Sequence, residues 1–344
     1  MRNHTRSRLA RAVHSDPYVT GQTMSSVERV RPPVQTTDLL AGWAPTLVPA
    51  NVDDVGAMSD APVLGAYEVI GLLKSGGMGG IYAARHVKTG ERVALKVLNP
   101  RLCTQRDLVE RLFFELEVSR KVGHQCLVDI RERGVSLEGT PFLVMELIDG
   151  ENLGDLAERG RIEIGAVAAI GAQISDAMAA THDRRIVHCD LKPDNVIVMY
   201  RHGLAGWPMI KVVDFGVARF LDRPGDGTIA GTPLYMAPEQ WSGEVEARSD
   251  VYGLGVMLYE LATGTTPFNG SLAEVATQHA EELPLAPSVR RADIPDQLED
   301  LVLRMLAKEP GMRPRMVDVS RALTDLAFAM PPGARVVEAY DLAC

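Results

Sequence analysis

The sequence lacks several features that define other classes of protein. It has only four cysteines in 344 residues, and none of them forms a C-x-x-C pair, which argues against a disulfide framework or a zinc site. No uninterrupted apolar run approaches the roughly 18 to 20 residues of a membrane span. The formal net charge is -9, so the chain has no overall basic footprint for nucleic acid. We therefore predict a soluble, cytoplasmic protein with no membrane span and no nucleic-acid partner.

Residues 1–65 have little that could build a core. They contain six prolines, only Tyr18 and Trp43 as aromatic residues, and no helical or strand periodicity. This composition predicts a disordered leader over 1–65. The alternative is an overlong gene model whose true start is Met24 or Met58. The leader begins with basic residues but lacks the apolar region of a secretory signal.

From Ala66 onward the composition changes to that of a folded domain. Three short segments, "YEVIGLL", "GIYAARHV" and "RVALKVL", are separated by glycine-containing turns and predict three antiparallel strands. A helix is predicted around 105–122, and two further strands near 127–136 and 141–146. After Gly150 the pattern is mostly helical, with long periodic segments at 163–183, 249–263, 295–307 and 316–329. A small β-rich lobe therefore precedes a larger helical lobe.

One polar cluster lies between two apolar runs. The segment "IVHCDLKPDNVIV" at 186–198 places two aspartates, a lysine and an asparagine where the hydrophobic pattern indicates core. A buried charge is costly unless it is paired, bound to a metal or used on a ligand, so the cluster indicates a site. Taken alone, the segment is equally compatible with a polar turn between two strands.

A glycine cluster, "SGGMGG" at 75–80, lies between the first two predicted strands. Glycine lets backbone amides approach an anion closely, although a flexible hairpin without a ligand has the same composition. A P-loop is excluded because no G-x-x-x-x-G-K-[ST] is present. In the neighbouring strand, Lys96 ends the apolar run "VALK". It is either a buried ammonium with an anionic partner or a solvated lysine at a strand end.

Five motifs follow one another in the order that protein kinases share. They are "KSGGMG", "VALK", "HCDLKPDN", "DFG" and "APE". On these motifs, residues 66–328 resemble a eukaryotic-type protein kinase and are most similar to bacterial Ser/Thr kinases. The resemblance implies an α+β, bilobal protein-kinase-like fold. Its small antiparallel β-sheet N-lobe with one helix would span 66–148, its larger, mainly helical C-lobe 149–330, and a short tail 331–344.

The resemblance implies that ATP and Mg²⁺ bind in a cleft between the lobes. Lys96, paired with Glu115 rather than Glu117, would hold the α and β phosphates of ATP. Asn195 and Asp214 would bind Mg²⁺, for which oxygen ligands are suited. The remaining positions implied to bind the nucleotide are Gly76, Gly77, Gly79, Ile81, Ala94, Met145, Glu146 and Leu147, the last three in or beside the hinge between the lobes.

The same resemblance implies the chemistry. Asp190 would accept the proton of the attacking hydroxyl, and Lys192 would neutralise charge on the transferred phosphoryl group. The form "DLKPDN", together with Thr232 in the segment "GTPLYMAPE", favours protein substrates with Ser or Thr acceptors. Thr228 is expected to be an autophosphorylation site. Three further residues, Glu239, Arg313 and Asp250, are expected to be structural.

Two departures from the family pattern bear on activity. Lys74 stands where the first glycine of the loop is expected, and this predicts weaker or altered nucleotide contacts. Cys189 replaces the Arg of H-R-D, which in many kinases pairs with a phosphate in the activation segment. The sequence therefore predicts a Ser/Thr protein kinase that also autophosphorylates. The alternatives are a pseudokinase acting as an ATP-binding interaction module and a small-molecule phosphotransferase, and the oligomeric state is left open.

Overall fold

We describe a computed structural model of the chain over residues 62–160, 162–202, 204–222, 229–330 and 332. Most of the predicted leader and tail lie outside these ranges, as does Thr228. The predicted end of the leader at residue 65 falls too late, because Val63–Leu64 form a strand that pairs with the following one. The side chain of Leu64 is buried in the core of the first sheet, which fixes this strand.

The first lobe is built on one six-stranded antiparallel sheet with the order β1-β2-β3-β4-β6-β5. The three strands predicted from the "YEVIGLL", "GIYAARHV" and "RVALKVL" segments are β2, β3 and β4, and the two further ones are β5 and β6. Their bounds are β1 Val63–Leu64, β2 Tyr67–Gly76, β3 Gly79–His86, β4 Arg92–Leu98, β5 Ile130–Val135 and β6 Pro141–Glu146.

Strand β4 is buried on both faces, and its alternation decides where Lys96 points. Val93 and Leu95 pack in the core on one face of the sheet, whereas Ala94 and Leu98 pack against helix α1 (Arg106–Val122) on the other. Because successive side chains in a strand point to opposite faces, Lys96 lies on the face that carries the helix. Helix α1 ends at Gly123, whose left-handed φ of 58° closes the helix.

The second lobe is mainly helical, and two of the five β-strands described for it, β8 (Ile186–Val187) and β9 (Val196–His202), flank the polar cluster. Strand β7 (Gly150–Asn152) pairs with β9, which pairs with β10 (Pro208–Val212), and β8 pairs with β11 (Arg219–Phe220). The helices are α2 Leu153–Glu158, α3 Ile164–Asp183, α4 Ala247–Thr263, α5 Leu272–Glu281, α6 Pro287–Arg290, α7 Asp296–Met305 and α8 Met316–Ala329.

The four long helices predicted for this lobe are α3, α4, α7 and α8. Helix α5 was not among the predicted helices. Its start has a recognisable signal, because Ser271 and Glu274 form a capping box in which each side chain bonds the backbone of the other. The α+β, bilobal fold that the motifs implied is thus confirmed.

Helix α3 is the one helix among the described residues that is long and apolar enough to cross a membrane. Of its most apolar window, 83% is buried inside the protein. It packs against α8 and α4 in the centre of the lobe. Because so much of this window is buried, the apolar composition of α3 is that of a core helix. The helix is only weak evidence for a membrane span.

Arg313 and Glu239 form a buried ion pair that joins the helical lobe to the end of the "APE" segment. The guanidinium of Arg313 is fully buried and binds both oxygens of Glu239, at 2.7 Å and 2.9 Å. Burial alone would raise the pKa of Glu239, but the hydrogen bonds from Arg313 hold it below its usual range. Arg313 also donates to three backbone carbonyls, so its charge is fully satisfied. A buried charge of this kind is tolerated only with such complete pairing.

His279 of α5 is a buried neutral group. Its Nδ1 lies 2.8 Å from the hydroxyl of Tyr252, and its Nε2 lies 3.1 Å from the carbonyl oxygen of Leu234. Burial, reinforced by the nearby charge of Lys308, lowers the pKa of His279 to about 4. Because an unfolded histidine titrates near 6.5, the unfolded chain binds a proton at His279 before the folded protein does.

This difference in pKa predicts a loss of stability in mild acid. The contribution of neutral His279 is complete above about pH 6.5 and is lost as the pH falls towards 4, with about 2 kcal/mol lost between pH 7.5 and pH 5. We expect His279→Gln to lower the free energy of unfolding at pH 7.5 and to remove this part of its pH dependence. Urea unfolding at several pH values measures both effects. His86→Gln is the control, and parallel pH profiles for wild type and His279→Gln would contradict the prediction.

Candidate active site

Lys96 is the meeting point of the two lobes. Its ammonium lies 2.6 Å from Oε1 of Glu115 on α1 and 3.0 Å from Oδ1 of Asp214 in the "DFG" segment. Strand β4, helix α1 and the segment after β10 therefore converge on a single cation. The backbone amide of Gly216 also donates to Oδ1 of Asp214, at 3.1 Å, which fixes this carboxylate from the side of the second lobe.

The charges of Lys96, Glu115 and Asp214 stabilise one another, and this is seen in the directions of their pKa shifts. Burial alone would lower the pKa of Lys96, but the two carboxylates together raise it above its usual range. Burial raises the pKa of Glu115 to about 7, with Lys96 acting in the opposite direction. Burial would likewise raise the pKa of Asp214, but Lys96 holds it below its usual range. Glu117, two residues along the helix from Glu115, is exposed, so helix periodicity selects Glu115 as the partner.

The polar cluster forms a hydrogen-bonded loop between β8 and β9. The amide nitrogen of Asn195 donates to the carbonyl oxygen of Asp190 at 2.9 Å and to its Oδ2 at 3.2 Å. Lys192 lies 3.2 Å from the same Oδ2 and donates to Oγ1 of Thr232 at 2.6 Å. The backbone amide of Thr232 donates to Oδ1 of Asp190 at 2.7 Å. The carboxylate of Asp190 is therefore held on both oxygens.

Asp250 of α4 holds the backbone at the start of this loop. It accepts hydrogen bonds from the backbone amides of His188 and Cys189, at 2.8 Å and 2.9 Å, and from Nε2 of His182 at 2.8 Å. Burial would raise the pKa of Asp250, but His182 lowers it, so the group stays ionised. Cys189 has a φ of 67°, a conformation that is costly for a residue with a side chain. The two bonds from Asp250 to adjacent amides stabilise this conformation.

The glycine cluster forms the tip of the β2–β3 hairpin. Gly76 pairs with Gly79, and a side chain at Gly79 would collide with the backbone carbonyl of Val97 on β4. A Cβ at Gly77 would meet nothing within 4 Å. A cavity of about 250 Å³ lies under the hairpin and is lined by Lys74, residues 75–81, Lys96–Leu98, Leu108, Arg111, Leu112, Glu115, Asp214 and Gly216. The glycines of the hairpin tip, two lysines and Arg111 therefore line the same space.

The apolar residues predicted to hold the nucleotide lie beside this cavity. Ala94 pairs with Met145 across β4 and β6, and both are buried in the cluster that Ile81 and Leu147 also join. The side chain of Glu146 binds Nζ of Lys211 at 2.6 Å and accepts the backbone amide of Asp129 at 2.7 Å. Both contacts fall on Oε1 of Glu146 and hold its side chain in place.

The donor set suits a divalent cation that is held jointly with a ligand. Within the described ranges no cluster of three His, Cys, Asp or Glu side chains could hold a metal alone. Asn195 and Asp214 supply an amide and a carboxylate, and the side chain of Asp214 is 49% exposed to the cleft. Mg²⁺ is commonly bound by one or two carboxylates together with substrate phosphates, so these residues fit it.

Sequence reasoning missed one residue of this region. The buried side chain of Gln240, directly after "APE", donates to the carbonyl oxygen of Cys189 at 2.9 Å and to that of Ala230 at 3.5 Å, and its Oε1 accepts the amide of Ala237. It thus links the loop of Asp190 to the segment that precedes Thr232. Its position next to a motif was visible in the sequence, but its partner lies 51 residues away.

Comparison with known proteins gives the family. A protein kinase domain model matches residues 67–322, so the chain belongs to the protein kinase family. It is 38% identical over 304 residues to the serine/threonine-protein kinase Pkn1 of Myxococcus xanthus, covering 83% of this chain and 43% of that protein. It is 40% identical over 255 residues to PkaA of Streptomyces coelicolor and 36% identical over 258 residues to PknB of Mycolicibacterium smegmatis, both named serine/threonine-protein kinases.

These alignments do not extend over the whole of the relatives. The matches to PkaA and PknB cover 72% of this chain but only 45% and 40% of the respective relatives. The chain therefore spans less than half of the length of these relatives, and it is the kinase domain that is shared.

Proposed function

We propose that the chain is a Ser/Thr protein kinase that transfers the γ-phosphate of Mg-ATP to Ser or Thr hydroxyls of proteins, including its own. The contact of Lys96 with both Glu115 and Asp214 carries this proposal. It joins strand β4 and helix α1 of the first lobe to the "DFG" segment of the second. Catalysis of phosphoryl transfer depends mainly on positioning and on charge neutralisation, and both are favoured by a cation fixed at this point.

Asp190 is proposed as the general base. A base must be held within hydrogen-bond reach of the proton it accepts. Bonds from Asn195, Lys192 and the backbone of Thr232 fix both of its oxygens, and its side chain remains 15% exposed to the cleft. Lys192, close to the same carboxylate, is proposed to stabilise charge on the transferred phosphoryl group.

Lys96 is proposed to hold the ATP phosphates, while Asn195 and Asp214 would hold the cation. Mg²⁺ bound there would supply neutralisation of the phosphate charge. Residues of the hairpin tip, Gly76, Gly77 and Gly79, would lie over the phosphates, since they line the cavity and carry no side chains that would keep the backbone from an anion.

Protein substrates are proposed because Thr232 connects the base to a segment that a peptide can reach. Thr232 bonds both Lys192 and Asp190, and it directly precedes the turn Pro233–Tyr235. A small-molecule phosphotransferase has no need of this connection. We further propose that the protein acts in the cytoplasm and does not bind nucleic acid, in keeping with its negative net charge.

The direct test is transfer of labelled phosphate. We expect the full chain with Mg-ATP to form phosphoserine or phosphothreonine, and Asp190→Asn to lower the rate about 10²- to 10⁴-fold, the usual contribution of a general base. Asp155→Asn, which changes an exposed aspartate on α2, is the matched control. Binding of ATP without transfer would instead support a pseudokinase, and equal rates in wild type and Asp190→Asn would reject Asp190 as the general base.

A second test separates the two adjacent glutamates on α1. Glu115→Gln should lower kcat/KM for ATP at least about tenfold, because Lys96 loses one of its two carboxylate partners, while Glu117→Gln should stay within about twofold. Steady-state kinetics with varied ATP measure both. Similar effects of the two substitutions would show that the pairing with Lys96 is dispensable.

Phosphorylation of the activation segment is proposed to be dispensable for activity. Cys189 stands where many kinases carry an arginine, and its thiol is buried, so no charge at this position requires a phosphate. Gln240 already links the carbonyl oxygens of Cys189 and Ala230 with a neutral amide.

We therefore expect Thr228→Ala to abolish phosphate at that position and to change the rate less than about threefold. Thr232→Ala should lower the rate much more, because it removes the hydroxyl that Lys192 contacts. Mass spectrometry of the active protein and initial-rate assays on both variants provide the measurements. A loss above about tenfold in Thr228→Ala would overturn the proposal.

A further inference from the structure

The hairpin over the proposed nucleotide cavity carries a lysine that reaches the other lobe. Lys74 lies on β2, opposite Ile81 of β3, and its ammonium donates to the carbonyl oxygen of Asp194 at 3.3 Å. Strand β2 belongs to the sheet of the first lobe, whereas Asp194 lies in the turn Pro193–Asn195 of the second. This hydrogen bond therefore spans the cleft between the hairpin and the loop of Asp190.

The acceptor of this bond is held in place by the second lobe. The carbonyl oxygen of Asp194 also accepts Nδ2 of Asn152 at 2.7 Å, and Oδ1 of Asn152 accepts the amide of Gly154 at the start of α2. The next residue, Asn195, bonds Asp190. Lys74 is thus attached to a rigid point immediately beside the proposed cation ligand.

The charge of Lys74 has a different environment from that of Lys96. Lys96 lies against two carboxylates, whereas among the described residues Lys74 contacts only a neutral carbonyl and lies within 4.0 Å of no carboxylate. Its side chain is exposed and also lines the cavity under the hairpin. An anion that enters this cavity therefore meets a cation whose charge no protein carboxylate neutralises.

We propose that Lys74 is a clasp that selects nucleotides by their charge, an inference that rests on the proposed ATP site. Without nucleotide, the ammonium holds the hairpin to Asp194. A polyphosphate offers charged oxygens in place of the carbonyl, and hydrogen bonds between two charged groups are the stronger kind. An uncharged nucleoside must open the clasp without that compensation. Lys74 therefore increases the affinity for ATP relative to adenosine.

This role predicts a specific change in two dissociation constants. In Lys74→Met, adenosine should bind about three to ten times more tightly, because no clasp competes with it. ATP should bind no more tightly than to wild type, because the cation is lost. The ratio of the adenosine Kd to the ATP Kd should therefore fall at least about threefold, whereas Lys74→Arg should keep it within about twofold. These factors correspond to a hydrogen bond to an exposed charged group.

Isothermal titration calorimetry with ATP and with adenosine, on the full chain, measures this ratio without any chemical step. Lys88→Met is the matched control, since Lys88 is an exposed lysine in the turn after β3. Raising the ionic strength should lower the ratio more for wild type than for Lys74→Met, because salt screens the charge interaction of Lys74 in addition to that of Lys96. Thermal unfolding of each variant confirms that it is folded.

The outcomes separate this proposal from the proposed function. A ratio that is the same within twofold in wild type and Lys74→Met rejects the clasp and leaves the kinase proposal standing. The predicted shift in ratio without any phosphoryl transfer rejects the kinase proposal and supports the clasp. If the wild-type protein binds neither ligand, both proposals are rejected.

Discussion

A buried ammonium that needs carboxylates on both sides determines how the site is assembled. Lys96 lies on the face of β4 that also packs α1, and it satisfies its charge with Glu115 from that helix and Asp214 from the other lobe. Removing one partner from a buried charge is more costly than never burying it. The positions of the helix, the sheet and the "DFG" segment are therefore coupled through one cation, and residues of all three line the cavity under the hairpin.

The buried charges of the second lobe are also paired. Asp250 accepts two adjacent backbone amides and a histidine, and Arg313 binds both oxygens of Glu239. These bonds fix the two ends of the segment that carries Asp190 and Thr232. The side chains that would perform the chemistry are held mostly by neutral donors and by one another, which leaves them partly exposed. The fully buried charges belong to the residues that support these side chains.

The elements and the local part of the site could be predicted from the sequence, and the contacts between distant segments could not. Period-2 alternation in "RVALKVL" and helical spacing around Glu115 are local patterns, so β4, α1 and their ion pair were within reach. The bonds of Gln240 to Cys189 and of Lys74 to Asp194 join positions 51 and 120 residues apart, and no local pattern encodes them. The ten-residue helix α5 has a capping box as its clearest sequence signal and no long periodic segment. The strand at Val63–Leu64 was missed because two residues carry no periodicity.

The two departures from the family pattern act on backbone carbonyls and leave the catalytic charges untouched. Lys74 adds a cation that bonds the carbonyl oxygen of Asp194, and at Cys189 the carbonyl oxygen is bonded by Gln240 while the thiol stays buried. Within the part of the chain that the structure describes, neither Lys74 nor Cys189 forms a hydrogen bond with the carboxylate of Asp190 or of Asp214. If catalysis had been lost during evolution, the charged residues of the site would be expected to change first, because burying a charge costs stability. Lys96, Asp190 and Asp214 are all present. The hydrogen bonds at Lys74 and Cys189 therefore lie at the cleft and at the activation segment, apart from the carboxylates of Asp190 and Asp214.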